Sequence, residues 1–211
     1  MTTNNIKKYW DIFYKKNIKL KESSFARYTY RNIYNLKKKK LIDIGCGNGR
    51  DSFFFNKKGF DVLGIDLSKT AIKKNNLISN DQLSFLDFDV EKDSMFKKFD
   101  IIYSRFFIHA LNVKGEDKFI KLINNIKKKG TLIFLEFRNS NDYIFDKFEN
   151  KKHNDFINFG NGHYRRFIKT SIFIDKFSKK TKSKNIYLRS TKNLSIVNKD
   201  NPNLTRAIFK I

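Results

Sequence analysis

The stretch Leu41-Ile42-Asp43-Ile44-Gly45-Cys46-Gly47-Asn48-Gly49-Arg50-Asp51 constrains this chain more than any other. Four mostly apolar residues run into three glycines at alternate positions, and a helix-like run from Arg50 to Lys58 follows. The pattern reads as a strand entering a tight turn that opens a helix. Glycine takes backbone angles closed to other residues, so such a turn brings bare N–H groups and a helix N-terminus against a ligand. Further strands of the same sheet are expected to build one pocket at this turn.

Downstream, short apolar runs alternate with helical spacing. Phe60–Asp66 reads as a second buried strand ending in an acid, and Ser68 as the cap of a helix over Lys69–Leu77. Leu83–Val90 is a third strand, Phe99–Ser104 a fourth and Gly130–Phe137 a fifth. Between the last two, a helix over Glu116–Lys127 puts Phe119, Leu122, Ile123 and Ile126 on one face. Asn185–Arg189 and Leu204–Ile211 are two closing strands, joined through the polar hairpin turn Asn198–Asn203. The fold class expected is α/β: a Rossmann-like, doubly wound, mostly parallel seven-stranded sheet with a C-terminal antiparallel hairpin. Ligands of such sheets sit at the carboxyl ends of the strands, so the residues just after each strand carry the chemistry.

Two segments stand outside this alternation. In residues 1–39, Ile6, Tyr9, Trp10, Phe13 and Tyr14 have helical spacing, and Ser23 or Ser24 caps a second helix through Phe25 and Tyr28. These helices are either a lid over the pocket or ordinary core packing. The lysine run Lys37–Lys40 reads as a solvated loop. Residues 138–164 are polar and glycine-bearing and lead to a helix starting near Arg166 or Thr170. A connection this long is usually functional, which makes it a substrate insert within a single domain spanning 1–211.

Composition narrows the setting. Cys46 is the one cysteine, so no intramolecular disulfide exists and a reducing compartment is expected. No apolar stretch is long enough for a membrane span, and Met1–Asn5 has no apolar signal core. The expectation is a soluble cytoplasmic protein. The net charge of +24 raises nucleic acid or an anionic surface as partner. Nine of the 45 basic residues are arginine, however, and the chain is rich in Asn, Ile and Phe with a single proline, Pro202. That joint bias reads as genome composition, with lysine filling solvated positions. The sparse arginines are more informative, because a planar guanidinium grips phosphate and carboxylate specifically. His109, His153 and His163 with one cysteine give no metal-ligand spacing, so no metal is expected. Cys46 has no histidine near it in sequence and reads as a small residue tolerated between glycines.

Alone, the glycine turn leaves its ligand open. A dinucleotide turn places its third glycine three residues after the second, and a phosphate-gripping loop carries Lys-Ser/Thr; neither pattern is present. Asp43, just before the glycines, is awkward for a pyrophosphate and suits a cationic amino group. Asp66 ends the second strand 17 residues after Gly49, Asp89-Val90 follow the third, and Tyr103-Ser104-Arg105 follow the fourth. In this order the set resembles the class I S-adenosylmethionine-dependent methyltransferases. The resemblance implies S-adenosylmethionine as cofactor, held by Asp43, Gly45, Gly47, Asn48, Gly49, Asp66, Leu67, Asp89, Val90 and Ser104. Asp66 then meets the ribose hydroxyls, Asp89 the adenine amino group, and the Ser104 segment the methionine part. Trp10–Tyr14, Ser23–Ala26, Tyr103–Ala110, Glu136–Asp142, Gly162–Ile168 and Asp200–Pro202 add a finer likeness. Together they are similar to small bacterial methyltransferases of capsule and surface-polysaccharide clusters, including the O-methyl phosphoramidate type.

The acceptor side can be read independently. Arg105, Arg138, His163, Arg165 and Arg166, with Tyr164 among them, follow strands four and five or lie in the insert. Cations there suit a small anionic acceptor: phosphate, phosphoramidate, a sugar derivative or carboxylate. Arg165 and Arg166 read equally as surface residues at a helix start. His109, Arg138 and His163 are the candidate catalytic residues. In an in-line displacement at a sulfonium methyl the leaving group is already positive, so the protein mainly supplies proximity. An anionic oxygen needs no base; a sugar hydroxyl would take His109 or His163 as one. His109 reads equally as a satisfied structural histidine. The alternatives are an RNA or tRNA methyltransferase, for which no separate RNA-binding module appears, and an inactive methyltransferase-like binding subunit. The sequence leaves the oligomeric state open.

Overall fold

The computed structural model describes residues 3–15, 21–36, 39–147, 156–160, 163–196 and 200–211. Lys37, Lys38, His153, Asn198 and Lys199, together with residues 148–155 and 161–162 of the expected insert, lie outside the described residues.

The chain runs α1 (Thr3–Lys15), α2 (Ser24–Ile33), β1 (Lys40–Ile44), α3 (Arg50–Lys57), β2 (Asp61–Asp66), α4 (Lys69–Asn76), β3 (Leu83–Asp87) and β4 (Ile101–Arg105). A short 3-10 turn at Ile108–Ala110 leads to α5 (Val113–Ile126), then β5 (Leu132–Arg138), α6 (Tyr143–Lys147), β6 (Phe156–Asn158) and β7 (Tyr164–Arg166). α7 (Thr170–Thr181), β8 (Lys184–Thr191) and β9 (Leu204–Lys210) complete it. Seven strands form one sheet in the order β3-β2-β1-β4-β5-β9-β8. The first five are parallel, and β9 runs antiparallel to both its neighbours, β5 and β8. This is the expected Rossmann-like sheet with its C-terminal hairpin.

Strand alternation explains the two-sided core. Leu41 joins Phe25, Phe55 and Ile72 on the face covered by α2, α3 and α4. Its neighbour Ile42 joins Phe119, Ile123 and Phe177 on the face covered by α5 and α7. Asp43 therefore points to the α3 face, where Ser52 of α3 donates to it. The strand order reverses between β1 and β4, so the glycine turn after β1 lies at the switch point where ligands of such sheets bind. Ser23 caps α2, its hydroxyl accepting from the Ala26 N–H at 3.0 Å, and Ser68 caps α4 in the same way at 3.2 Å.

Two expectations change. The insert is not a plain loop: it contains α6 and an antiparallel pair, β6 with β7, of three residues each. Arg166 lies in β7, and the helix after it starts at Thr170. Strands of three residues carry too little alternation to be read from sequence. The third strand stops at Asp87, which leaves Asp89 and Val90 in the following loop. A bridge between Asn139 and Ile168, with the Ser140 N–H donating to the Ile168 carbonyl, ties the hairpin segment to the end of β5. No helix among the described residues is long and apolar enough to cross a membrane.

Candidate active site

The turn after β1 holds Gly45, Gly47 and Gly49 at φ of 78°, 53° and 73°. These are left-handed angles that cost other residues energy. Space is a second reason for glycine. A Cβ at Gly47 would lie 2.2 Å from the Tyr14 hydroxyl, and one at Gly45 would lie 2.6 Å from the Phe107 ring. The Gly47 N–H donates to Asp66 Oδ2 at 2.8 Å, and the Ser68 N–H donates to Asp66 Oδ1 at 2.9 Å. Burial pushes the Asp66 carboxyl up to about 6 against these two bonds.

A cavity of about 420 Å³ opens at this turn. Asp43, Gly45, Asn48, Arg50 and Asp51 line it from the glycine turn and the start of α3; Arg105, Arg138, Arg165 and Asp200 line it from the ends of β4 and β5, from β7 and from the segment before β9. Trp10, Phe13, Tyr14 and Phe106 form walls between them. A smaller lobe of about 80 Å³ adjoins it, lined by Asp66, Leu67, Phe107 and Leu111 among others. Trp10, Tyr14, Gly45 and Phe106 line both spaces, so these four mark the passage between them.

α1 reaches this position because polar contacts fix it on α4. Asp11 Oδ1 accepts from the Ser68 hydroxyl at 2.7 Å and the Thr70 N–H at 3.0 Å. The Lys74 ammonium donates to the carbonyls of Tyr14 and Lys15 at 2.9 and 2.8 Å. The Tyr9 ring of α1 then stacks on His163 with centroids 4.7 Å apart. Phe106 holds φ 56°, an outlier for a bulky residue that costs about 1–3 kcal/mol. The Arg105 guanidinium lies 3.9 Å from the centre of its ring.

Two buried acids sit side by side at the turn. Asp51 accepts from the Ser23 N–H and hydroxyl, both at 2.7 Å, and from the Tyr103 hydroxyl at 2.8 Å. Asp43 accepts from the Ser52 hydroxyl at 2.6 Å. Burial, then the nearby Asp51 charge, pushes Asp43 up to about 8. Burial raises the Cys46 thiol well above its usual range, which leaves it an unreactive small side chain.

Of Arg105, Arg138 and Arg165, the first two are already engaged. Arg138 donates to Asp142 Oδ2 at 2.8 Å and is also bonded to Asp200. Arg105 Nε donates to Glu136 Oε1 at 2.9 Å, and Arg206 Nε to Glu136 Oε2 at 2.6 Å. Arg105 also reaches the Ser195 hydroxyl at 2.9 Å. Arg165 differs: among the described residues it donates no hydrogen bond and forms no ion pair, and its guanidinium lies 5.5 Å from the Phe159 ring centre. Arg50 has only a 3.8 Å approach to Asp51.

The residues named from sequence therefore divide. Asp43, Gly45, Asn48, Asp66 and Leu67 line the cavity or its lobe, as do Arg105, Arg138 and Arg165. Gly47 lies under Tyr14, and Gly49 caps α3. Ser104 is buried and donates to the Ile44 carbonyl at 3.0 Å, holding β4 to the end of β1. Asp89 turns to its own loop, accepting from the Glu91 N–H at 3.0 Å and pairing with Lys92 at 3.4 Å. Val90 joins the core beneath.

Arg166 is a correction. Side chains alternate along β7, so Arg166 leaves the cavity that Arg165 lines and pairs with buried Glu116 of α5. His109 is buried, and its Nδ1 accepts from the Arg138 N–H at 3.2 Å. That bond occupies the lone pair a base would use, while burial, then Arg165 and Arg138, holds its pKa well below the usual range. His163 is stacked between Tyr9 and Phe159, each 4.7 Å away. Burial, then the charges of Arg165 and Arg138, lowers it to about 4. Tyr164 stacks on Phe156 at 5.3 Å.

Sequence reading gave no role to Arg50, Asp51 or Phe106. The position of Arg50 and Asp51 in the first turn after the glycines was the available signal. Nothing in the sequence marked the left-handed Phe106.

Comparison with known proteins fits this geometry. Residues 19–172 match the model of a methyltransferase domain family. The ubiquinone biosynthesis O-methyltransferase of Pelagibacter ubique is 30% identical over 145 residues, 66% of this chain and 60% of that protein, so the chain spans less than two thirds of that relative's length. An S-adenosylmethionine-dependent methyltransferase of Methanosarcina mazei superposes with a TM-score of 0.70 at 19% identity, covering 86% of this chain and 97% of the other. A Burkholderia thailandensis 1,6-didemethyltoxoflavin N1-methyltransferase, solved with its substrate and S-adenosylhomocysteine bound, superposes with a TM-score of 0.66 at 10% identity, covering 88% and 76%. The two structures share the fold. The chain belongs to the methyltransferase domain family.

Proposed function

We propose that the chain transfers a methyl group to an oxygen of a small anionic acceptor, of the phosphate, phosphoramidate, sugar-derivative or carboxylate classes. The observation that carries this reading is one cavity lined both by the glycine turn and by arginines, of which Arg165 has no hydrogen bond or ion pair among the described residues. The surface-polysaccharide setting is the one that the sequence likeness implies, and a reducing cytoplasm suits the buried thiol Cys46.

The residues at the turn suit the cofactor. The glycine cradle has no room for a Cβ, Asp66 faces the smaller lobe, and Asp43 and Arg50 place an acid and a guanidinium together in the larger cavity. In this reading Asp66 takes the ribose hydroxyls, Asp43 the amino group and Arg50 the carboxylate. When bound, S-adenosylmethionine supplies an electrophilic methyl on a positively charged sulfur. The chain's own task is to hold the acceptor oxygen in line with that methyl and to exclude water. The aromatic walls Trp10, Tyr14 and Phe106 serve the exclusion, with α1 as the lid and Arg138 and Arg165 in the acceptor wall, while α2 packs into the core. Arg165 orients the anion. His109 acts through the Arg138 backbone as a positioning residue, and His163 holds α1 against the hairpin.

The test is release of S-adenosylhomocysteine from S-adenosylmethionine in the presence of small acceptors. The expected result is turnover with an anionic member and none with its neutral isostere. Turnover only with neutral acceptors, or only with tRNA, contradicts the proposal.

A further inference from the structure

The charges around the cavity can be assigned pair by pair. Asp142 and Asp200 both bond Arg138, and Glu136 is shared between Arg105 and Arg206. Asp51 lies beside Arg50. Arg165 stands outside each of these pairs. Asp43 and Arg50 both line the cavity at the glycine turn, where the cofactor's zwitterionic end calls for one charge of each sign. Arg165 is the guanidinium left for the acceptor, and its planar fork makes no hydrogen bond among the described residues. Trp10, Phe13 and Phe106 line the same cavity as Arg165 and Gly45. Flat apolar faces favour a flat apolar guest. A doubly charged phosphate monoester would leave one charge uncompensated beside Asp142 and Asp200, which costs far more inside a protein than in water.

We infer that the acceptor is a planar, largely apolar molecule carrying a single negative charge, of the aromatic carboxylate class, gripped through that charge by Arg165. The inference rests on the proposed methyltransferase reading and narrows it. Arg165 is the specificity-determining residue, and the methyl-accepting oxygen lies on the part of the molecule that reaches the Gly45 passage.

Trp10 is the single tryptophan and lines the cavity, so its fluorescence reports occupancy without turnover. The experiment titrates the full chain, saturated with S-adenosylhomocysteine, with benzoate, benzamide and phenyl phosphate at about pH 7.5, where a phosphate monoester is close to doubly charged. The expected result is saturable quenching by benzoate, with phenyl phosphate and benzamide each at least about tenfold weaker. Arg165→Gln weakens benzoate at least about tenfold and Arg165→Lys less, because the lysine keeps charge and loses the fork. Removing Arg165 strands no carboxylate, so both variants are expected to fold, with thermal melting as the check. Equal or tighter binding of phenyl phosphate, no binding of benzoate, or an unchanged benzoate affinity in Arg165→Gln each overturns the inference while leaving the methyltransferase reading intact. Failure of S-adenosylhomocysteine itself to bind overturns that reading, and the inference with it.

Discussion

The two parts of the cavity lining are built on different principles. The glycine-turn part is made of backbone: three left-handed glycines, two N–H groups on Asp66 and the first turn of α3. The arginine part is made of long side chains whose partners come from distant sequence, such as Arg138 with Asp200 and Arg206 with Glu136. A backbone site announces itself in a few consecutive residues. A side-chain site is defined by which charges are left over, and that needs the whole fold.

The largest expected effect follows from this contrast. Arg138 looks from sequence like an acceptor-binding cation, yet it holds Asp142, which has no exposed side-chain surface, and Asp200. Arg138→Ala strands a buried carboxylate, a loss of about 3–5 kcal/mol. For a chain of this size that lowers Tm by on the order of 10 °C. An unchanged melting temperature with lost turnover would return Arg138 to the acceptor and erase the distinction between the two parts.

Next comes the backbone part. Gly47→Ala combines a left-handed φ with a Cβ driven into the Tyr14 hydroxyl. About 3 kcal/mol of strain and overpacking is expected, read as a loss on the order of 100-fold in S-adenosylhomocysteine affinity by calorimetry. Wild-type affinity would mean that Tyr14 yields freely and that the turn is not a fitted cradle.

The two parts also respond to pH with opposite sign. Asp43 is pushed up to about 8 in the fold, against about 3.9 in an unfolded chain. Between those values the native state binds more protons than the unfolded one, so stability falls as pH rises through that window. His163 is lowered to about 4 from about 6.5, so there the unfolded chain binds more protons and stability rises with pH between those values. Melting curves from about pH 4 to 8 are expected to lose the falling component in Asp43→Asn. They should lose part of the acid-side rise in His163→Phe, which keeps the stack between Tyr9 and Phe159. An Asp43→Asn profile identical to wild type would place that carboxyl in solvent.

Much of the fold was legible because strand and helix periods differ and the glycine turn is local. Leu41 and Ile42 alternate between two core faces as their neighbours in sequence suggest. β6 and β7 were not legible, since three residues carry no period and the bridge from Asn139 to Ile168 is long-range. In the site, Asp43, the glycines and Asp66 were legible from order and spacing. The division between Arg165 and Arg166 was not, because it depends on a strand that sequence could not register. Nor was the engagement of Arg138 and Arg105: Asp142 is only four residues on, but Asp200 precedes β9 and Glu136 faces Arg105 from the neighbouring strand. His109 read equally as a base or as a structural histidine, because residue type says nothing about a lone pair already bonded to the Arg138 N–H.

The most direct test of the central claim, that the glycine-turn part of the cavity takes the methyl donor, is calorimetric titration of S-adenosylmethionine into the folded chain, followed in parallel by Trp10 fluorescence. The account predicts saturable binding of one molecule per chain with a change in Trp10 emission. A folded chain that gives no binding heat and no fluorescence change would contradict it.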